Sequence, residues 1–137
     1  MSITWVLVAN TRSAILYENP GPNKGLTLVK KIATEQNGSE KAQPIGAMDR
    51  SDWHRPDELQ RQRAKVFARK LADELRLART GKQFSRAILI APAAFMGLLN
   101  AELDSPTAQQ VSARMEKDYT KLTVNELREE LAYSLCV

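Results

Sequence analysis

RPDELQRQRAKVFARKLADELRLARTGKQFSRAILIAP, residues 55–92, joins a long helical stripe, a stop signal and a buried strand. From Leu59 to Arg79, the residues Ala64, Phe67, Ala68, Leu71, Leu75 and Ala78 recur at helical spacing, with charges at most other positions. Pro56 and Asp57 suit a first turn, one by its fixed φ and the other by the helix dipole. Gly81 and Lys82 suit the end, since glycine accepts a left-handed backbone and a cation suits the negative pole. Ala87-Ile88-Leu89-Ile90-Ala91 is then apolar on both faces, as a strand is between two layers of helices.

Upstream, Ile3 to Ala9 is apolar on both pleat faces and reads as a central strand. Asn10-Thr11-Arg12 is a turn, and Ser13 to Glu18 returns as the second strand of a hairpin. The loop Asn19 to Gly25 is dense in turn formers, and Leu26 to Ala33 makes a third strand. Its Lys30-Lys31 pair suits a sheet edge, where charge discourages aggregation. Thr34 to Arg55 is polar throughout, with little to bury; a structureless connection of that length is functional or disordered.

Downstream, Pro92 starts a second helix from Ala93 to Leu103 that buries Phe95, Met96 and Leu99. Ser105-Pro106 reads as a local turn. Val111 to Glu116 alternates as a strand does, while Val111, Met115 and Tyr119 also fit a helical stripe. Thr123 and Glu126 form a capping box for a last helix with Val124, Leu127, Leu131 and Leu135 on its apolar side. The order is β-β-β-α-β-α-β-α in one domain, residues 1–137. The last two strands arrive by right-handed helical crossovers. The result is an α/β fold, ribonuclease-H-like: a mixed five-stranded sheet of order 3-2-1-4-5 with helices on its faces.

The 137 residues are 43% hydrophobic and 26% charged, enough for one core. A net charge of +4 tolerates an acidic partner such as RNA and equally fits a solvated basic surface. One cysteine, Cys136, excludes an internal disulfide and a cysteine-based zinc site. The start Met1-Ser2-Ile3-Thr4-Trp5 lacks a secretory signal, and no apolar run approaches the ~20 residues of a membrane span. The expected compartment is the cytoplasm, with no membrane partner.

Four motifs carry a resemblance: Val8-Ala9-Asn10 with Ser13-Ala14; Phe67-Ala68-Arg69-Lys70-Leu71; Leu89-Ile90-Ala91-Pro92 with Phe95 and Leu99; and Lys117-Asp118-Tyr119-Thr120-Lys121-Leu122. Over nearly its whole length the chain resembles the bacterial host-attachment protein family, whose domain is similar to the middle domain of archaeo-eukaryotic class I release factors. The resemblance implies a strand from about Val111. It implies Asp where this chain has Asn10. Such release factors carry Gly-Gly-Gln before the long helix, whereas the matching loop here has only isolated Gly38 and Gly46. Peptide release is therefore not carried over. The family label describes a phenotype, attachment to host cells, rather than a chemistry.

A ribonuclease-H-like sheet invites two-metal nuclease chemistry, which needs clustered carboxylates. Asn10 and Ala91-Pro92 occupy the expected strand ends, and Asp57 with Glu58 cannot hold two ions. No enzyme, metal or cofactor is expected. Ligands of open α/β sheets bind beyond the strand carboxyl ends where the order reverses, here beside Asn10, Thr11, Arg12 and Pro92. That crevice is either a seat for a small phosphorylated ligand or a polar turn facing water. Arg50, Trp53, His54 and Arg55 offer planes that stack on unpaired bases, or Trp53 pins the loop to the domain. Arg61, Lys65 and Arg69 align at i, i+4 to meet phosphates. Asp73 and Glu58 stand close enough in sequence to make the same face an ion-paired, solvated one. The expected function is a non-catalytic translation- or RNA-associated binding domain with RNA or the ribosome as partner; the alternative acts in attachment through a protein partner. A homodimer through an apolar edge near Met115 is a further expectation.

Overall fold

The computed structural model describes residues 3–21, 24–33 and 56–135, the last stretch with its side chains from 59 to 132. The expectations for the 34–55 connection and for Cys136 lie outside the described residues. The elements are β1 (Thr4–Ala9), β2 (Ser13–Asn19), β3 (Thr27–Ala33), α1 (Pro56–Thr80), β4 (Arg86–Ile90), α2 (Ala93–Glu102), α3 (Ser105–Gln110), β5 (Val111–Met115) and α4 (Val124–Leu135). They form one five-stranded sheet of order β3-β2-β1-β4-β5. The hairpin and β3 pair antiparallel, and β4 joins β1 and β5 in parallel. This is the α/β topology that the hydrophobic pattern implies.

β1 is buried along its whole length because both of its faces are covered. Trp5, Leu7 and Ala9 face α1 and α2, meeting Phe67, Leu71, Leu75, Phe95 and Leu99 in the larger core. Val6 and Val8 face the other way, meeting Ile88, Ile90, Leu127 and Leu131 beneath α4. The pleat thus sorts one continuous apolar run into two cores. The Trp5 ring lies 5.2 Å from that of Phe84. Its indole N–H is buried without a partner among the described residues, so the larger core carries one desolvated polar group.

Both outer strands are guarded. Leu16 pairs with Lys30 and Tyr17 with Leu28, leaving Val29 as an extra residue, a bulge that twists the edge. On the other side Ala87 pairs with Val111 and Ile88 with Ala113, so Ser112 is the extra residue of β5. The Lys30 ammonium, beside the β3 bulge, reaches Glu74 of α1 at 2.8 Å. Met115, the proposed edge for a homodimer, is half-buried against the α4 core.

Two local readings are corrected. Ser105-Pro106 opens a helix, α3, rather than a turn. Asp104 caps it by accepting from the Thr107 N–H at 3.3 Å, and Pro106 sits in the first turn where no N–H is needed. The second correction concerns the end of α1. Gln83 N–H donates to Ala78 O and Lys82 N–H to Arg79 O, both at 2.9 Å, which is the two-bond Schellman ending. The left-handed residue in it is Lys82, at φ 58°, and not Gly81. A side chain at that φ costs about 1–2 kcal/mol, partly offset by the greater unfolded-state entropy of glycine. Lys82→Gly is expected to stabilise the fold by about 0.5–1 kcal/mol, read as a raised urea midpoint. A lowered midpoint would mean that the Lys82 side chain contributes more than its backbone strain costs.

The capping box of α4 forms as its residues predict. Thr123 N–H donates to Glu126 Oε1 at 2.9 Å, and Glu126 N–H to Thr123 Oγ1 at 3.1 Å. α4 is also seated on the β2–β3 turn. Gly25 there has φ +78°, and an added Cβ would press on the Arg128 guanidinium at 3.3 Å. Buried Asn19 donates to the Gly25 carbonyl at 2.7 Å and holds the turn closed.

Candidate functional site

Three parallel strands end on one edge of the sheet: β1 before Asn10, β4 before Ala91 and β5 before Glu116. Asn10 is the hub there. Its Oδ1 accepts from Arg12 N–H at 2.8 Å and Ser13 N–H at 2.9 Å, closing the hairpin turn. Its Nδ2 donates to Thr120 Oγ1 at 3.0 Å, tying that turn to the segment after β5. Thr120 in turn donates its hydroxyl to Asp118 Oδ1 at 2.6 Å, and its N–H reaches the same oxygen at 3.2 Å. Hydrogen bonding from the Thr120 hydroxyl holds the Asp118 carboxyl below the usual range. The Thr120 N–H, the Asn10 side chain and the Lys121 charge act in the same direction.

Of the residues proposed for a ligand at this edge, Asn10 therefore spends its side chain on the fold. Thr11 and Arg12 are exposed, and Pro92 is half-buried at the N-cap of α2. The two residues that complete the hub, Asp118 and Thr120, carry no mark as site residues in the chain taken alone. The signal that could have found them is the Asp-x-Thr spacing, in which a short polar side chain bonds the backbone two residues on.

The basic row lies on α1, about 37 Å long. Phe67 and Phe95, whose ring centroids are 6.0 Å apart, clamp α1 to α2. Arg61, Lys65 and Arg69 are exposed along one flank, about 6 Å apart along the axis. α1 has seven Lys or Arg against four acidic residues, Asp57, Glu58, Asp73 and Glu74. α4, on the opposite side of the sheet, has Glu126, Glu129 and Glu130 against Arg128. α1 thus carries a net positive charge and α4 a net negative one.

Ion pairing on that row departs from the expected intrahelical pattern at Asp73, while the Glu58 side chain lies outside the described residues. Arg69 turns to α2 and meets Glu102 at 3.2 Å, while Asp73 lies 3.6 Å from Arg76. The cause is tertiary: docking α2 brings a carboxylate to Arg69 that sequence spacing along α1 does not show. Further along, Arg79 donates to the buried Thr107 hydroxyl at 3.0 Å and lies 3.6 Å from Asp104, fastening α1 to α3. Hydrogen bonding from Thr107 holds the Asp104 carboxyl below its ordinary range, with Arg79 helping. Arg50, Trp53, His54 and Arg55, the remaining proposed contacts, lie outside the described residues. At the amino edge of β1 and β4 an open pocket of about 540 Å³, lined by Ile3, Arg79, Lys82, Phe84, Ser85 and Gln110, contains none of the proposed site residues. Among the described residues no three His, Cys, Asp or Glu side chains gather as metal ligands.

Asp104 and Asp118 bind protons less readily folded than unfolded, so both contribute stability above about pH 4, the unfolded carboxylate pKa. That stability is lost as the pH falls through their lower folded values. The urea midpoint is expected to drop below about pH 4, and to drop less in the double variant Asp104→Asn, Asp118→Asn. An unchanged acid slope in that variant would place the acid sensitivity elsewhere.

Residues 5–131 match the model of a family described as "Protein required for attachment to host cells". Among solved structures, an archaeal protein shares the fold with a TM-score of 0.55 at 10% identity, covering 98% of this chain and 34% of its own. The crystal structure of an archaeal translation termination factor does so with a TM-score of 0.54 at 10% identity, covering 97% and 39%. The chain thus spans between a third and two-fifths of those proteins, and identities this low speak for the fold alone. No curated protein matches the chain. Among the described residues no helix is long and apolar enough to cross a membrane.

Proposed function

The chain belongs to the host-attachment family, and from that premise we propose that it is a non-catalytic, translation- or RNA-associated binding domain. The observation that carries this reading is the exposed basic flank of α1, with Arg61, Lys65 and Arg69 in one row. Cations spaced along a rigid helix neutralise successive phosphates and release their counterions, which gives affinity without base-specific contacts. The fold shared with a translation termination factor supports a role near the translation machinery. Two-metal nuclease chemistry has no part in this reading because Asn10, Ala91 and Pro92 stand at the strand ends where it needs carboxylates.

The family's description favours a second reading, in which the domain serves attachment through a protein partner. Co-sedimentation with ribosomes from lysate, at low and at high salt, separates the two. The RNA reading expects co-sedimentation at low salt that is lost at high salt, and lost at both in the triple charge reversal Arg61→Glu, Lys65→Glu, Arg69→Glu. Thermal melts check that the variant folds. Protein recovered only in the free fraction at both salts would overturn the RNA reading and leave the protein-partner one.

A further inference from the structure

Among the described residues, Arg69 is the member of the basic row to which the tertiary fold brings a carboxylate from another element. Its Nε lies 3.2 Å from Glu102 Oε1. The two groups differ in freedom. The Arg69 side chain is 65% exposed and sits in the middle of α1, whereas the Glu102 side chain is 19% exposed at the end of α2. The guanidinium can therefore swing to an outside anion, while the carboxylate stays where α2 holds it. A carboxylate and a phosphate diester present similar paired oxygens to an arginine, so each satisfies the same fork. An exposed pair of this kind is worth at most about 1 kcal/mol, so neutralising Glu102 frees Arg69 at little cost to the fold.

We propose that Glu102 is a built-in competitor for the RNA backbone, holding Arg69 back from the phosphates and so setting the affinity of the α1 flank. The inference rests on the RNA reading above and deepens it, naming what sets the affinity of that row for a phosphodiester backbone. Its consequence is a gain of binding from a substitution that adds no contact. With Glu102 neutralised, Arg69 engages one more phosphate. For a single strand, one phosphate steepens the dependence of log K on log salt by about 0.7, which amounts to about a fivefold tightening at 0.1 M salt and little at 1 M.

The test uses the full chain and a fluorescently labelled single-stranded uridine oligomer, with anisotropy titrations across a salt series. Glu102→Gln is expected to bind about fivefold tighter at 0.1 M salt and to show the steeper slope. Glu129→Gln, on α4 across the sheet, makes the same change in net charge and is expected to tighten binding far less. Placing Glu102→Gln in an Arg69→Gln background is expected to erase the gain. Equal tightening by the two single glutamine variants, or a gain that survives without Arg69, would overturn the proposal and leave only a net-charge effect. Wild-type binding with no change in Glu102→Gln would overturn this inference while the RNA reading stands. No salt-sensitive binding by either protein would overturn both.

Discussion

Phe95→Ala is expected to lower the unfolding free energy by about 3–5 kcal/mol, the usual cost of emptying a buried aromatic site. Phe95 is 1% exposed and lies at the meeting of α1, α2 and the sheet, its ring 6.0 Å from that of Phe67. α2 has only ten residues and no side-chain N-cap, so it is too short to persist by helix propensity. Its buried residues, Phe95, Met96 and Leu99, are what hold it in place. A domain of this size has about 5–15 kcal/mol in all, so the loss is a large share of the total. Urea unfolding would read it, with Phe95→Leu as the volume-sparing control expected to cost about 1 kcal/mol. A loss below about 1 kcal/mol in Phe95→Ala would show that α2 does not depend on this anchor.

Asn10→Ala comes second, at about 2–3 kcal/mol, because three hydrogen bonds of roughly 1 kcal/mol each disappear together. Two of them close the β1–β2 turn and the third joins it to Thr120. Asn10→Asp is the more searching variant, since aspartate is what the family resemblance leads one to expect. It keeps the acceptor for Arg12 and Ser13 but replaces the amide donor with an oxygen. Thr120 has one hydroxyl proton and already gives it to Asp118. The new carboxylate would face an unshared lone pair and the charge of Asp118. That repulsion is full at neutral pH, where both carboxylates are ionised, and fades on acidification as they take up protons. Urea midpoints of wild type and Asn10→Asp should therefore converge on acidification. A gap that stays constant with pH would argue against the Asp118 charge as its cause.

The candidate site was legible in unequal parts. The α1 row was readable because helical spacing alone places Arg61, Lys65 and Arg69 on one flank. The Asn10 turn was readable from its composition, but not its engagement with Thr120, 110 residues away. Glu102 went unnoticed for the same kind of reason: what Arg69 meets depends on how α2 docks.

What the chain determines by itself is the order and type of its elements, the central place of β1, the edge character of β3 and the capping of α4. These follow from short-range chemistry: apolar periodicity, turn residues, and charge on an outer strand. Even there two local preferences give way, at Ser105-Pro106 and at Lys82, where a cap and a Schellman ending override the simpler signals. Only the tertiary structure decides which charges face each other across elements, namely Arg69 with Glu102, Arg79 with Asp104, and Asn10 through Thr120 with Asp118. Long polar side chains reach whatever packing brings near, and that depends on the crossing of whole layers rather than on the spacing of neighbours along the chain.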